Sequence, residues 1–207
     1  MTMQEAKRAF VTETATQLFL QNSVSSVTIR DVAEASGIGE ATIYRYFRNR
    51  TSLIVACAVK LQAEVGAQFM DFTREKDGFS QLSRFYGAYE KLFSRRPELY
   101  RFLSEFDAYC ISSGEAELTE YQDNFDRFQS SVLEAYEKGL ADGSVKGQDD
   151  PVLFYQTTTH ALLSLCKKLA AERRIVRQDA VIDPNAEIRT LTELILAALK
   201  NKQEESL

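Results

Sequence analysis

Over most of this chain the apolar residues recur every three to four positions, the period of helices that bury one face. Phe10, Val11, Ala15, Leu18 and Phe19 trace the inner side of a first helix, which should end near residues 21–26. Two short helices fit within residues 28–47, and the stretch 51–72 predicts a long fourth one. Gly78 separates it from a helix over 79–93. Pro97 sits where the first turn of the next helix should lie, a position at which its missing N–H costs nothing, and that helix should reach about residue 112. A helix over 116–141 ends at the stop signal Asp142-Gly143. Asp150-Pro151 opens another, to about residue 173, and Pro184 precedes the last, over 186–202. About nine helices result. The apolar cluster at residues 24–29 is too short to argue for a strand, so the expected fold class is all-α.

Composition narrows the class. With 44% hydrophobic and 27% charged residues the chain can bury a core. It holds no run near the roughly 18 apolar residues that a membrane span needs, and its first residues lack the apolar stretch of a signal peptide. A cytoplasmic protein with no membrane partner is expected. Cys57, Cys110 and Cys166 are odd in number and far apart, which predicts free thiols rather than a disulfide framework or a metal site. The single histidine, His160, rules out a His-based metal cluster by count and is read as a structural or interface residue. No Gly-rich phosphate loop, GxSxG or HExxH is present, so neither an enzyme nor a cofactor is expected.

Charge adds direction. The net charge is −5, yet residues 1–60 carry seven Lys/Arg against five acids, a net of +2. A slightly basic N-terminal part on an acidic body is the asymmetry expected when only one end meets phosphates.

That end contains an informative stretch, Ser25 to Leu53. Thr28 followed by Asp31 has the spacing of a capping box, in which hydroxyl and acid satisfy free backbone donors at a helix start. Ile29, Val32 and Ala33 supply the buried side of that helix. Ser36-Gly37-Ile38-Gly39 then makes a tight turn, with Ile38 as an apolar plug. In the following helix Ile43 and Phe47 share a face and must pack inward. At about 100° per residue, Ala41 and Arg45 lie roughly 160° from Ile43, with Thr42 and Tyr44 about 100° to either side. The outward face is small, hydroxylated and cationic, as a helix entering the major groove requires.

Taken together, Thr28-Ile-Arg-Asp-Val-Ala, Gly37-Ile-Gly, Thr42-Ile-Tyr-Arg-Tyr-Phe and Arg48-Asn-Arg-Thr-Ser-Leu53 resemble the TetR family of bacterial transcriptional repressors. The resemblance is strong over residues 5–60 and beyond them rests on helix number and length. It implies a helix-turn-helix DNA-binding domain at residues 1–50 and a ligand-binding and dimerisation domain at 51–207. It places Thr28 and Tyr44 at phosphates, and Ala41 and Thr42 at bases or adjacent phosphates. Tyr46 stands where a histidine is commonest and can still donate to phosphate; Arg50 stands for the usual lysine at the start of the fourth helix. Two residues stay open. Glu40 either favours the helix dipole or accepts from a cytosine amino group, and Arg45 either reads a guanine or touches phosphate. Arg48 is a peripheral phosphate contact or solvated.

The resemblance also implies an apolar effector pocket in the body. Tyr89, Phe102, Phe106, Tyr109, Phe125 and Tyr155 are candidate wall residues for an apolar or amphipathic small molecule. Glu105 and Asp107, interleaved with these rings, would suit a cationic ligand or lie on a wet face. The stripes Tyr155, Leu162, Cys166, Leu169 and Ile188, Leu191, Ile195, Ala198 are of the kind found in four-helix bundles. Family resemblance pairs these helices with their copies in a homodimer, with Leu162, Cys166, Leu169, Leu191, Ile195 and Ala198 at the interface. The expected function is repression at a pseudo-palindromic double-stranded DNA operator, released by an effector. The rival is a helical interaction protein or small-molecule binder without DNA activity.

Overall fold

A computed structural model describes residues 2–114, 117–171 and 181–201. Within them the order is α1 (Met3–Gln21), α2 (Ile29–Ser36), α3 (Glu40–Tyr46), α4 (Arg50–Phe69), a 3-10 turn (Met70–Arg74), α5 (Gly78–Arg95), α6 (Pro97–Ser113), α7 (Thr119–Ala141), α8 (Pro151–Ala170) and α9 (Pro184–Leu199). The fold is all-helical; among the described residues the pairing of Val145 with Lys200 is an isolated bridge, not a strand.

Local signals explain most boundaries. Thr2 and Glu5 form a capping box at the start of α1, and Thr28 and Asp31 form one at the start of α2. Asp77, Asp150 and Asp183 each accept a backbone N–H at the starts of α5, α8 and α9, with proline just inside the latter two. Gly37 ends α2 in the left-handed region (φ 66°), where a side chain would be strained. The predicted helix over 51–72 instead yields to the tighter 3-10 turn after Phe69. The expected helix ends at residues 173 and 202, and the expected start at residue 116, lie outside the described residues.

The inner face of α1 needs a correction. Phe10 is 53% exposed and Leu18 half-buried, while Thr12 and Thr16 are buried with Val11, Ala15, Phe19 and Leu20. Both hydroxyls donate to the carbonyl one turn back, Thr12 to Arg8 at 3.0 Å and Thr16 to Thr12 at 2.7 Å. A threonine satisfied in this way packs like a small apolar residue, so the buried stripe rotates away from Phe10.

The described residues form two compact units, Met1–Val65 with Glu98–Asn124, and Gly66–Pro97 with Phe125–Leu207. In the first, α1, α2 and α3 pack on one another. A row of rings runs from Phe19 through Phe102 and Phe106 to Tyr121, with centroids 6.3, 6.0 and 5.0 Å apart. Its Cys57 is buried, and burial pushes the thiol up to about 12, which leaves it inert as a nucleophile.

The second unit is a bundle in which α5 and α8 pack on each other and on α9. Gly78 of α5 meets Gly139 of α7 so closely that a Cβ on Gly78 would fall 2.2 Å from the Gly139 backbone. The loop after α7 then caps α5: Asp142 accepts from Gly78 N at 2.9 Å, and Ser144 Oγ accepts from Phe79 N at 3.0 Å. Phe85 anchors the interior, edge-on to Phe72, Tyr86 and Tyr89. The Tyr86 hydroxyl shares a 2.8 Å hydrogen bond with Thr158, while burial pushes its phenol up to about 12.

Candidate nucleic-acid interface

The helix-turn-helix is built from the capping box outward. Thr28 N and Oγ1 both donate to Asp31 Oδ2 at 2.7 Å, and Asp31 N donates to Thr28 Oγ1 at 3.2 Å. These donors hold the Asp31 carboxyl below the usual carboxylate range, the Thr28 backbone N–H contributing most. After the left-handed Gly37, the Ser36 hydroxyl accepts from Ile38 N at 3.3 Å and closes the turn.

Helix α3 has seven residues and no side-chain cap. A helix this short does not persist alone, so its two anchors hold it: Ile43 and Phe47 are buried. The Arg8 guanidinium covers the Phe47 ring at 5.1 Å. With that face fixed inward, Glu40, Ala41, Tyr44 and Arg45 are exposed, and Thr42 and Tyr46 half-exposed. Arg45 stands over the Tyr46 ring at 5.6 Å, and Arg48 is exposed just beyond. The outer surface is a row of small, hydroxyl and guanidinium groups around a helix N-terminus, which suits contact with phosphates and base edges.

The tetR family of bacterial regulatory proteins matches residues 11–57, the segment that makes this motif. That segment of the chain is thus similar to the family's N-terminal region. An HTH-type transcriptional regulator of Staphylococcus aureus is 26% identical over 120 residues, which are 57% of this chain and 60% of that protein. The chain thus spans less than two thirds of the curated relatives it matches. A TetR-family regulator of Mesorhizobium loti has the same fold at a TM-score of 0.72 and 17% identity, covering 97% of this chain and 100% of that one. A ketosteroid transcriptional regulator of Mycobacterium tuberculosis gives 0.64 at 13% identity, covering 94% and 95%. The fatty acid degradation regulator FadR of Bacillus halodurans gives 0.64 at 18%, covering 92% and 94%.

Within this fold the expected site residues take varied surroundings. Arg50, expected at a phosphate, points its guanidinium at its own chain. Nε donates to Val27 O at 3.0 Å, Nη2 donates to Val24 O, and the group lies over the Tyr109 ring at 5.3 Å. Helix α4 is capped by Asn49, whose Oδ1 accepts from Ser52 N at 2.8 Å, a signal legible in the asparagine that precedes the helix.

The expected effector pocket is also revised. Phe102 and Phe106 are buried in the ring row of the first unit. Tyr109 shares a 3.0 Å hydrogen bond with Thr51. Glu105 accepts through Oε2 from Ser23 Oγ at 3.0 Å and from Val24 N. Tyr89 is buried against Phe85, and Phe125 is 43% exposed. Of the expected wall residues, Tyr155 alone lines a described cleft. This cleft lies in the second unit and is bordered by Leu82, Tyr86, Val132, Tyr136 and Phe154 among others.

The expected dimer residues divide. Leu162, Cys166 and Ile195 are buried within this single chain, Leu169 and Leu191 are half-buried, and Ala198 is exposed. The apolar stripe is the seam that joins α8 and α9 to their neighbours in the same unit; periodicity alone does not separate such a seam from a subunit interface. The outward side of α8 carries Leu153, Thr157, His160, Ala161 and Ser164, and that of α9 carries Leu194, Ala197 and Ala198. Leu153 and Leu194 are 59% and 65% exposed. Among the described residues no helix is long and apolar enough to cross a membrane, and no group of three His, Cys, Asp or Glu is placed to hold a metal.

Proposed function

We propose that this protein is a DNA-binding transcriptional regulator, acting as a homodimeric repressor at a pseudo-palindromic operator in the cytoplasm. The observation that carries the reading is the sidedness of α3. Ile43 and Phe47 hold one side in the core, and Ala41, Thr42, Tyr44 and Arg45 face out beside the Thr28 cap. On this reading Thr28, Tyr44, Tyr46 and Arg48 meet phosphates, which supply most of the affinity. Ala41 and Thr42 allow close approach, and Arg45 reads a base edge. The DNA-binding part corresponds to residues 1–50, and residues 51–207 bind effector and partner.

Dimerisation uses the outward sides of α8 and α9, where two exposed leucines stand among small residues that permit close helix packing. Two linked heads read two half-sites about one helical turn apart, which one seven-residue helix does not hold alone. The effector enters the cleft beside Tyr155. Proteins of the same fold named for ketosteroids and for fatty acid degradation favour an apolar molecule, and the cleft, with a volume of about 10 Å³, must widen to receive one. Binding there lowers operator affinity by a coupling free energy of about 1–3 kcal/mol. The action is occlusion of a promoter, with no chemical turnover.

The test is selection of bound fragments from genomic DNA with purified protein at two salt concentrations. One enriched pseudo-palindrome whose retention falls steeply with salt is the expected result. No enrichment at low salt would overturn the reading and leave the helical body as the place of function.

A further inference from the structure

Helix α6 carries three polar side chains on one face, Arg101, Glu105 and Tyr109, spaced by four residues. Each meets a different part of the α1–α2–α4 region in the same compact unit. Arg101 donates to Leu20 O at the end of α1. Glu105 accepts from Val24 N and, at 3.0 Å, from Ser23 Oγ, in the loop between α1 and α2. The Tyr109 hydroxyl bonds Thr51 at 3.0 Å in the first turn of α4, and its ring lies beneath Arg50. Arg50 closes the circle by donating to Val24 O and Val27 O. The loop's own apolar residues, Val24 and Val27, are buried beneath it.

This loop leads directly into Thr28, the cap of α2, and α2 carries α3 through the three residues Gly37, Ile38 and Gly39. A backbone of about seven residues outside regular structure would wander unless its polar groups were claimed. Here Glu105, some 80 residues away, claims Val24 N, and Arg50 claims Val24 O and Val27 O; both side chains are ionic.

We propose that Glu105 is a positioning residue for DNA binding. With Arg101, Tyr109 and Arg50 it forms a polar strap that holds the α1–α2 loop, and through it Thr28 and α3, in the register needed for a specific site. Arg50 acts on DNA through this strap rather than at a phosphate. The proposal rests on the DNA-binding reading above.

The experiment uses the full-length protein and DNA carrying the selected pseudo-palindrome, with random-sequence DNA of equal length as control. Glu105→Ala should lower affinity for the specific site at least tenfold while affinity for random DNA changes less than twofold. The Val24 amide proton, deshielded by a carboxylate in the wild type, should move upfield by nuclear magnetic resonance. Glu105→Gln keeps the shape and an acceptor oxygen; it should restore most of the specific affinity and serves where the alanine variant does not fold. The strap is overturned if Glu105→Ala binds the specific site like wild type, or if specific and random affinities fall together in step with the melting temperature. A wild-type protein that selects no sequence overturns the DNA-binding reading itself, and the positioning role with it. In that case the Val24 amide shift still reports whether the carboxylate holds the loop.

Discussion

The helix-turn-helix and the α8–α9 pair are both amphipathic helices packed on a core, yet they place chemistry differently. In α3 the inward side rests on two anchors, Ile43 and Phe47, and the outward side is polar and cationic, so inside and outside are chemically distinct. In α8 and α9 the inward stripe is apolar, and the outward side mixes leucine with alanine, threonine, serine and histidine. A surface that meets phosphates announces itself by charge. An apolar helix surface resembles the core it lies over, and its direction emerges only when the fold shows what is already covered.

The comparison breaks most readily at the anchors. Phe47→Ala removes a ring that is 2% exposed and leaves α3 with one apolar contact side chain. A loss of about 3–5 kcal/mol of stability is expected for such a truncation, read by denaturant unfolding, and DNA binding should vanish with it. A loss under about 1 kcal/mol would show that α3 is held by something other than its anchors. In the second unit the corresponding weak point is backbone rather than ring. Gly78→Ala would place a Cβ 2.2 Å from Gly139, where no flexible side chain can yield. Overpacking of this kind costs about 1–3 kcal/mol, and a backbone collision should reach the upper end.

These two sites also show what the sequence made legible. The capping box at Thr28, the turn at Gly37 and the inward pair Ile43 and Phe47 are relations within twenty residues, set by local geometry, and each stands where periodicity placed it. The strap from α6 and the contact of Gly78 with Gly139 join residues some 60 to 80 apart, and no local pattern encodes them. Glu105 read equally well as a wet acid or a ligand partner because its real partner, a backbone N–H, has no residue type to recognise. Leu162, Cys166 and Ile195 are buried within the single chain, and a seam within one chain and a seam between two obey the same 3.6-residue period. Phe10 failed differently, because Thr12 and Thr16 hide their polarity in their own helix.

A third prediction sharpens the contrast by leaving stability untouched. Arg45 is exposed and stacks only on Tyr46 among its described ring contacts, so Arg45→Ala should shift the melting temperature little. Specific DNA affinity should fall by about 1–3 kcal/mol, with preference relaxed at one base position, if the guanidinium reads a base edge. An equal loss on every sequence would assign it to phosphate instead. Either result separates what α3's outward side contributes to binding from what its inward side contributes to the fold.

The smallest effect compares two exposed carboxylates that cap, one in each unit. Asp31 is held below the usual carboxylate range chiefly by the Thr28 backbone N–H, and Asp142 chiefly by the Ser144 hydroxyl. In the unfolded chain both return to the ordinary value, about 3.9. The folded state therefore binds these protons more weakly. Each contributes stability that is fully present above the ordinary carboxylate range and is lost as pH falls through its depressed value. Carboxyl-carbon titration by nuclear magnetic resonance should find both midpoints below the ordinary one. Thr28→Ala removes the hydroxyl from Asp31 but leaves the backbone N–H, so its midpoint should rise only part of the way, with about 1 kcal/mol lost from the cap, while Asp142 stays put. A full return of Asp31 to the ordinary value would mean that the hydroxyl orients the N–H as well as donating itself, making the box one cooperative element rather than two independent bonds.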